Sequence, residues 1–197
     1  YWNLADIERV GDVLVAAHGR TISRFDLTRP ADLTPLDEIR VAGKINDIAA
    51  DERVVLAAHG DCVDVYAEPK VGGFICLRTL RPGGPCHAVE IAGSTALVAH
   101  GAATAPFLSL FDLTDPTPQP EGRIALAGMP SGIRVFGTTA CLVCPGQNLV
   151  QMIEIGVSGC PVTRGTLRPA AGLDGGEGSV CDIDFYGTLA CLACGSG

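Results

Sequence analysis

The feature that most constrains the fold of this chain is an internal repeat with a period of about 40 to 50 residues. Five windows of fifteen residues align without a gap, and their starts lie 41, 41, 45 and 50 residues apart. The windows are Ala5–Gly19, Asn46–Gly60, His87–Gly101, Gly132–Gly146 and Asp182–Ser196. Each window contains two apolar runs around a polar or glycine-containing turn, which predicts a β-hairpin.

Two further apolar runs follow each of the first four hairpins. The third runs are Ile22–Leu27, Val63–Glu68, Leu108–Leu113 and Val150–Ile155, and the fourth are Leu36–Val41, Cys76–Leu80, Gly122–Leu126 and Val162–Leu167. Four strands in every period of this length are typical of a β-propeller blade. The second strand is apolar on both faces, as over Val54–Ala58, which indicates that it is buried between neighbouring blades.

The sequence therefore predicts an all-β fold, a β-propeller with four complete four-stranded blades and the first two strands of a fifth. The expected blades span about 4–41, 45–81, 86–127, 131–168 and 180–197, within a single domain over 1–197. The unpaired edge of a buried strand is normally covered. We therefore expect the chain to be a segment of a longer protein, or one of two chains, that closes a ring of about six to eight blades.

One strand end and the hairpin after it carry a resemblance to a known repeat. The residues Phe111–Pro116 (FDLTDP), followed by Gly132–Val143 (GIRVFGTTACLV), resemble the LVIVD repeat, in which VDVSDP precedes GVAVSGNYAYVA. Phe25–Pro30 (FDLTRP) is a second copy of the strand end. WD40 repeats are more distantly similar. The resemblance to LVIVD repeats implies a propeller, often on the surface of bacterial or archaeal cells, and it implies no catalytic residues.

The composition excludes two classes of partner. The chain has 14 Lys and Arg against 22 Asp and Glu, a formal net charge of −8. A nucleic-acid-binding surface requires a basic face, so we expect no nucleic-acid partner. No apolar run reaches the length of about 18 residues that would predict a membrane span. We expect the partner to be a protein or the remainder of the same propeller.

Four polar residues are candidates for ligand binding because they stand at the start of the first strand of their repeats: Asn46, Asp47, His87 and Asp182. In a propeller this strand lines the central channel, where ligands usually bind. The alternative is that these side chains only satisfy backbone groups of the loops. The glycine-rich segment Ala170–Val180 lies on the same predicted face and is interpreted as a connector or a partner-binding loop.

Three histidines occupy the same position in successive repeats, and each precedes a glycine: His18, His59 and His100. Pairing about the turn Gly93-Ser94 predicts that His87 lies opposite His100. Side chains paired in this way are close enough for two imidazoles to share a divalent metal ion. The alternative is that His-Gly is a turn dipeptide copied with the repeat. The sequence predicts no other cofactor.

The nine cysteines include two CxxC pairs, Cys141/Cys144 and Cys191/Cys194. Because residues i and i+3 of a strand point to opposite faces, neither pair is expected to bind one ion. The gapless windows align these cysteines with apolar positions of the other blades, among them Leu14 and Ala17, so we predict small core thiols. Unpaired buried thiols favour an intracellular compartment, whereas the LVIVD resemblance implies an extracellular surface.

Two hypotheses about function follow. The first is a non-catalytic propeller module that acts as a scaffold within a larger protein or complex. The second is a propeller enzyme or metal-binding protein of the lactonase or selenium-binding type, with His87, His100 and carboxylates around the channel. An enzyme requires several of these side chains to converge within hydrogen-bond or ligand reach, whereas a scaffold does not.

Overall fold

A computed structural model describes residues 4–28, 31, 33–67, 73–156, 160–168, 179–187 and 189–195. These residues form four four-stranded antiparallel sheets and one two-stranded sheet, together with a 3-10 turn at Pro145–Gln147. The predicted propeller fold, with four complete blades and two strands of a fifth, is confirmed. The described part of the chain has no helix long and apolar enough to cross a membrane.

We number the sheets as blades 1 to 5 in chain order. Blade 1 contains β1 (Leu4–Val10), β2 (Val13–His18), β3 (Thr21–Asp26) and β4 (Pro35–Arg40). Blade 2 contains β5 (Ile45–Ala50), β6 (Val54–His59), β7 (Cys62–Ala67) and β8 (Ile75–Leu80). Blade 3 contains β9 (Cys86–Ala92), β10 (Thr95–Ala102), β11 (Ala105–Asp112) and β12 (Pro120–Ala125). Blade 4 contains β13 (Gly132–Phe136), β14 (Thr139–Cys144), β15 (Leu149–Ile155) and β16 (Pro161–Leu167), and blade 5 contains β17 (Ser179–Tyr186) and β18 (Leu189–Gly195).

The first strands of the blades are the innermost ones. Hydrogen-bonded neighbours follow chain order within every blade, and the first strand of each blade contacts the first strand of the next. Polar side chains on these strands are therefore held near a common centre.

Apolar clusters lie between adjacent blades, and the second strand contributes to two of them. In β6, Val55 and Ala57 pack towards blade 1, whereas Leu56 and Ala58 pack towards blade 3. Every residue of β6 is buried. The predicted burial of Val54–Ala58 on both faces is thus confirmed, and it explains why this strand has no polar face.

A β-bulge near the start of the first strand changes the register that the sequence suggested. In blades 1, 2, 3 and 5 an extra residue interrupts the pairing: Ala5, Asn46, His87 and Cys181. Blade 4 pairs without this bulge. The prediction that His87 lies opposite His100 is wrong, because His87 is the bulged residue and His100 pairs with Cys86.

The same register corrects the place of the CxxC cysteines. Cys194 pairs with Val180 as His18 pairs with Leu4, so the second cysteine of each motif takes the histidine position instead of that of Ala17. All nine cysteines are free. Cys141 and Cys144 are buried as predicted, whereas their counterparts in β18 are exposed, because no described residue covers the outer side of blade 5.

Three glycines in the connections between blades lie against this histidine or cysteine position: Gly43, Gly84 and Gly128. A Cβ atom on Gly43 would lie 2.9 Å from His59 Nδ1, and one on Gly84 would lie 3.6 Å from His100 Nδ1. In blade 4, Cys144 Sγ lies 3.5 Å from the carbonyl oxygen of Gly128. The connection therefore passes too close to the buried side chain in blade 2 for any larger residue.

The substitution Gly43→Ala is expected to lower the free energy of unfolding by about 1–3 kcal/mol, because the added methyl group would displace a buried imidazole. Urea denaturation measures the effect. Gly146→Ala is the control, since a Cβ atom there has no neighbour within 4 Å. Equal stability of the two variants would contradict the close approach.

Candidate functional site

The three histidines of the repeat each bind a polar side chain of the third strand of their own blade. His18 Nε2 lies 3.2 Å from Ser23 Oγ, and His100 Nε2 lies 2.8 Å from Ser109 Oγ. In blade 2, His59 Nε2 lies 2.8 Å from Asp64 Oδ2. The repeated histidine therefore joins the second strand to the third.

The hydrogen bonds continue to the fourth strand. Ser23 Oγ donates to Glu38 Oε1 at 2.9 Å, and Thr79 Oγ1 donates to Asp64 Oδ1 at 2.7 Å. In blade 4, Gln151 occupies the position of Ser23 and donates to Thr163 Oγ1 at 3.2 Å. Hydrogen-bonded polar side chains thus link the third and fourth strands in blades 1, 2 and 4.

His100 is the most deeply buried of these imidazoles, with no exposed surface. Burial, followed by the charges of Arg123 and His87, lowers its pKa to about 4. The ring is therefore neutral at pH 7. Its Nδ1 has no hydrogen-bond partner within the described part of the chain.

The predicted site residues bind backbone groups. Asn46 Nδ2 donates to the Cys86 carbonyl oxygen at 2.7 Å, and Asp47 Oδ2 accepts from the Val89 N–H at 2.8 Å. Both bonds tie blade 2 to the first strand of blade 3. His87 Nε2 donates to the Gly101 carbonyl oxygen at 3.0 Å within blade 3, and Asp182 Oδ1 accepts from the Ile183 N–H at 2.8 Å.

The inner strands also bring together charged side chains that the sequence analysis missed. Arg134 Nη1 lies 3.8 Å from Glu90 Oε2 in blade 3 and 4.0 Å from Glu8 Oε1 in blade 1. Asp6 forms a side-chain hydrogen bond with Asp47. The glycines in the turns between the first and second strands could have revealed these side chains. Each charged residue stands three positions before such a glycine: Glu8 before Gly11, Glu90 before Gly93 and Arg134 before Gly137.

Burial dominates the titration of these carboxyl groups. It raises the pKa of Glu8 to about 7, with further contributions from Asp6 and an opposing one from Arg134. Burial and the hydrogen bond with Asp6 raise the pKa of Asp47 well above its ordinary value. Burial also raises the pKa of Glu90. These innermost carboxyl groups therefore retain protons at pH values where exposed carboxyl groups are ionised.

The part of the unfolding free energy that depends on Glu8 should consequently fall as the pH rises from about 4.5 to about 7, whereas His100, with its lowered pKa, contributes in the opposite direction between about pH 4 and 6.5. In this range the unfolded chain has lost the Glu8 proton, whereas the folded protein still binds it. The Glu8 contribution, present below pH 4.5, is on the order of 1–3 kcal/mol and is lost at higher pH. Urea denaturation at a series of pH values should show the unaltered protein losing stability relative to Glu8→Gln as the pH rises over this range, and parallel curves for both proteins would contradict the assignment.

A small pocket lies at the start of the first strands of blades 1 and 2. It has a volume of about 130 Å³ and is lined by Leu4, Ala5, Lys44, Ile45 and Asn46. Pockets for small-molecule ligands usually have volumes of roughly 300–1,000 Å³. The glycine-rich segment of the sequence analysis lies outside the described residues over 169–178.

One group of three potential metal ligands stands out among the described residues. The ligand atoms of His59, Cys62 and Asp64 lie within 4.8 Å of one another. Burial raises the pKa of the Cys62 thiol, with further contributions from Asp64 and Asp61. The sequence predicted a metal site at His87 and His100 instead, and that pair remains a prediction.

No protein-family model and no curated protein matches the sequence. Solved structures do match. The WD40 domain of Toxoplasma gondii coronin has a TM-score of 0.67 at 6% identity, over 92% of this chain and 48% of that one. A putative 6-phosphogluconolactonase from Bacteroides fragilis has a TM-score of 0.69 at 13% identity, over 84% of this chain and 55% of that one.

Hydrazine synthase from Kuenenia stuttgartiensis has a TM-score of 0.71 at 16% identity, over 93% of this chain and 52% of that one. The chain thus spans about half the length of each of these three chains. At such low identity the likeness concerns the fold alone. The chain has the β-propeller fold.

Proposed function

We propose that this chain is part of a non-catalytic β-propeller that acts as an interaction module within a larger protein or complex. The observation that carries the proposal is that the candidate polar side chains form hydrogen bonds with backbone groups of the fold. Asn46 and Asp47 bind backbone groups of the next blade, and His87 binds a backbone carbonyl of its own blade. Side chains bound in this way stabilise the packing of the blades.

The size of the pocket beside Asn46 also supports a non-catalytic role. Its volume of about 130 Å³ lies below the roughly 300–1,000 Å³ of usual small-molecule pockets. A protein partner requires no deep pocket, because protein interfaces are broad and comparatively flat.

We further propose that the repeats are of the LVIVD type. In both FDLT segments the aspartate ends the third strand and caps the turn that follows. Asp26 Oδ1 accepts from the Thr28 N–H at 2.8 Å, and Asp112 Oδ1 accepts from the Thr114 N–H at 2.8 Å. The Asp-x-Thr spacing of the motif therefore serves a defined turn, which supports its assignment as a repeat signature.

The ring is proposed to be completed by further strands, from the remainder of the same protein or from a partner chain. The apolar residues Ala140–Cys144 of β14 are buried, whereas the equivalent Ala190–Cys194 of β18 are mostly exposed. This difference supports additional strands against β18, since an uncovered apolar strand edge favours aggregation.

The partner is proposed to bind the face on which the first strands begin. Lys44 and Asn46 are exposed there, beside the connection between blades 1 and 2. Glu52 is exposed at the opposite end of β5, in the turn to β6. These positions provide a matched pair of probes on the two faces of one blade.

A photo-crosslinking amino acid at position 44 should yield covalent adducts with a protein partner in cells that produce the whole protein. The same amino acid at position 52 should yield none. Adducts would be separated by gel and identified by mass spectrometry. Adducts from position 52 alone, or from both positions equally, would contradict the proposed face.

The catalytic alternative is tested with the purified protein and sugar lactones, with and without added divalent metal ions. We expect no hydrolysis above the rate in buffer. Turnover that disappears in Asn46→Ala, His87→Ala and Asp182→Asn would overturn the non-catalytic proposal in favour of a site at the channel opening.

A further inference from the structure

We infer that His59, Cys62 and Asp64 form a binding site for Zn²⁺ or a similar transition-metal ion in blade 2. The inference does not depend on the proposed interaction function, because all three side chains belong to one hairpin. It also concerns different residues from the pair His87 and His100.

The backbone places the three side chains on one face of blade 2. His59 and Cys62 are directly paired across the two-residue turn between β6 and β7. Cys62 and Asp64 are two residues apart in β7, so they point to the same side of the sheet. This face packs towards blade 1, where Gly43 lies against the imidazole.

The distances between the three ligand atoms are close to those between the ligands of a bound metal ion. His59 Nε2 lies 2.8 Å from Asp64 Oδ2, and Cys62 Sγ lies 3.8 Å from His59 Nε2. Zinc binds thiolate sulfur at about 2.3 Å and imidazole nitrogen or carboxylate oxygen at about 2.0–2.2 Å, in tetrahedral geometry. The ion would replace the shared proton between Nε2 and Oδ2 and displace the Cys62 thiol proton to solvent, and Nε2 and Oδ2 would separate by roughly half an ångström.

The residues around the three ligands hold the carboxylate in place. Thr79 Oγ1 donates to Asp64 Oδ1 at 2.7 Å, which directs Oδ2 towards the imidazole and the thiol. Tyr66 Oη donates to Oδ2 at 3.2 Å. Hydrogen bonds of this kind orient the ligands of metal sites. The three protein ligands leave the fourth coordination position for water or an external ligand.

The neighbouring blades indicate that the thiol and the carboxylate are not required by the fold. At the positions of Cys62 and Asp64, blade 1 has Thr21 and Ser23, and blade 3 has Phe107 and Ser109. In both blades a serine hydroxyl binds the histidine. Among these three blades, blade 2 alone adds two strong metal ligands to the common histidine.

The inference is tested by adding Co²⁺, a spectroscopic substitute for Zn²⁺, to the purified protein. We expect one equivalent of Co²⁺ to produce a thiolate-to-cobalt charge-transfer absorption that Zn²⁺ abolishes by displacement. Cys62→Thr and Asp64→Ser each copy the residue of blade 1 and should weaken Co²⁺ binding at least about tenfold. The double variant Cys191→Ser, Cys194→Ser is the control and should bind as the unaltered protein does.

An unchanged titration of both Cys62→Thr and Asp64→Ser would overturn the inference, as would the absence of the charge-transfer band in the unaltered protein. Circular dichroism shows whether the variants fold. A second measurement needs no variant: Zn²⁺ should slow alkylation of Cys62 at least about tenfold, as followed by peptide mass spectrometry. Alkylation of Cys62 at the same rate with and without Zn²⁺ would contradict the site.

Discussion

The contact between neighbouring blades is the interaction on which the rest of the structure depends. In blades 2 to 4 the second strand is buried on both faces, so each of these blades is stabilised by the blades beside it. Backbone hydrogen bonds reinforce this packing, since the Ile45 N–H donates to the Gly19 carbonyl oxygen and the Cys86 N–H to the Gly60 carbonyl oxygen, both at 2.8 Å. Both glycines have positive φ angles, 60° and 52°. The repeated His-Gly dipeptide thus serves the blade in two ways, through a hydrogen-bonded imidazole and a left-handed turn residue.

The period of the repeat and its turns were sufficient to predict the fold. Register was harder to predict, because a bulge adds one residue without changing the hydrophobic pattern of the strand around it. Pairing counted outwards from the turn Gly93-Ser94 ignored this extra residue, and His87 was therefore placed opposite His100. The fourth and fifth windows also began one residue late relative to the turn glycines Gly137 and Gly187, which hid the equivalence of Cys144 and Cys194 with the histidines of blades 1 to 3.

The site residues were less predictable than the fold, because their contacts depend on which blades meet at the centre. Arg134 belongs to blade 4, yet it lies between carboxylates of blades 1 and 3, and no local spacing indicates that arrangement. The set His59, Cys62 and Asp64 is local. Its spacing, His-x-x-Cys-x-Asp, is neither a CxxC pair nor a set of residues repeated in the other blades. The two-residue turn between β6 and β7 brings these unevenly spaced residues onto one face of the hairpin.

Polar side chains add to this contact between blades, and the stability of Asn46→Ala tests their part in it most directly. Asn46 Nδ2 is the donor to Cys86 O, so its removal should lower the unfolding free energy by about 1 kcal/mol. Glu121→Ala, at an exposed residue of an outermost strand, should change it by less than about 0.5 kcal/mol. An Asn46→Ala variant as stable as the unaltered protein would contradict the account and return Asn46 to the candidates for ligand binding.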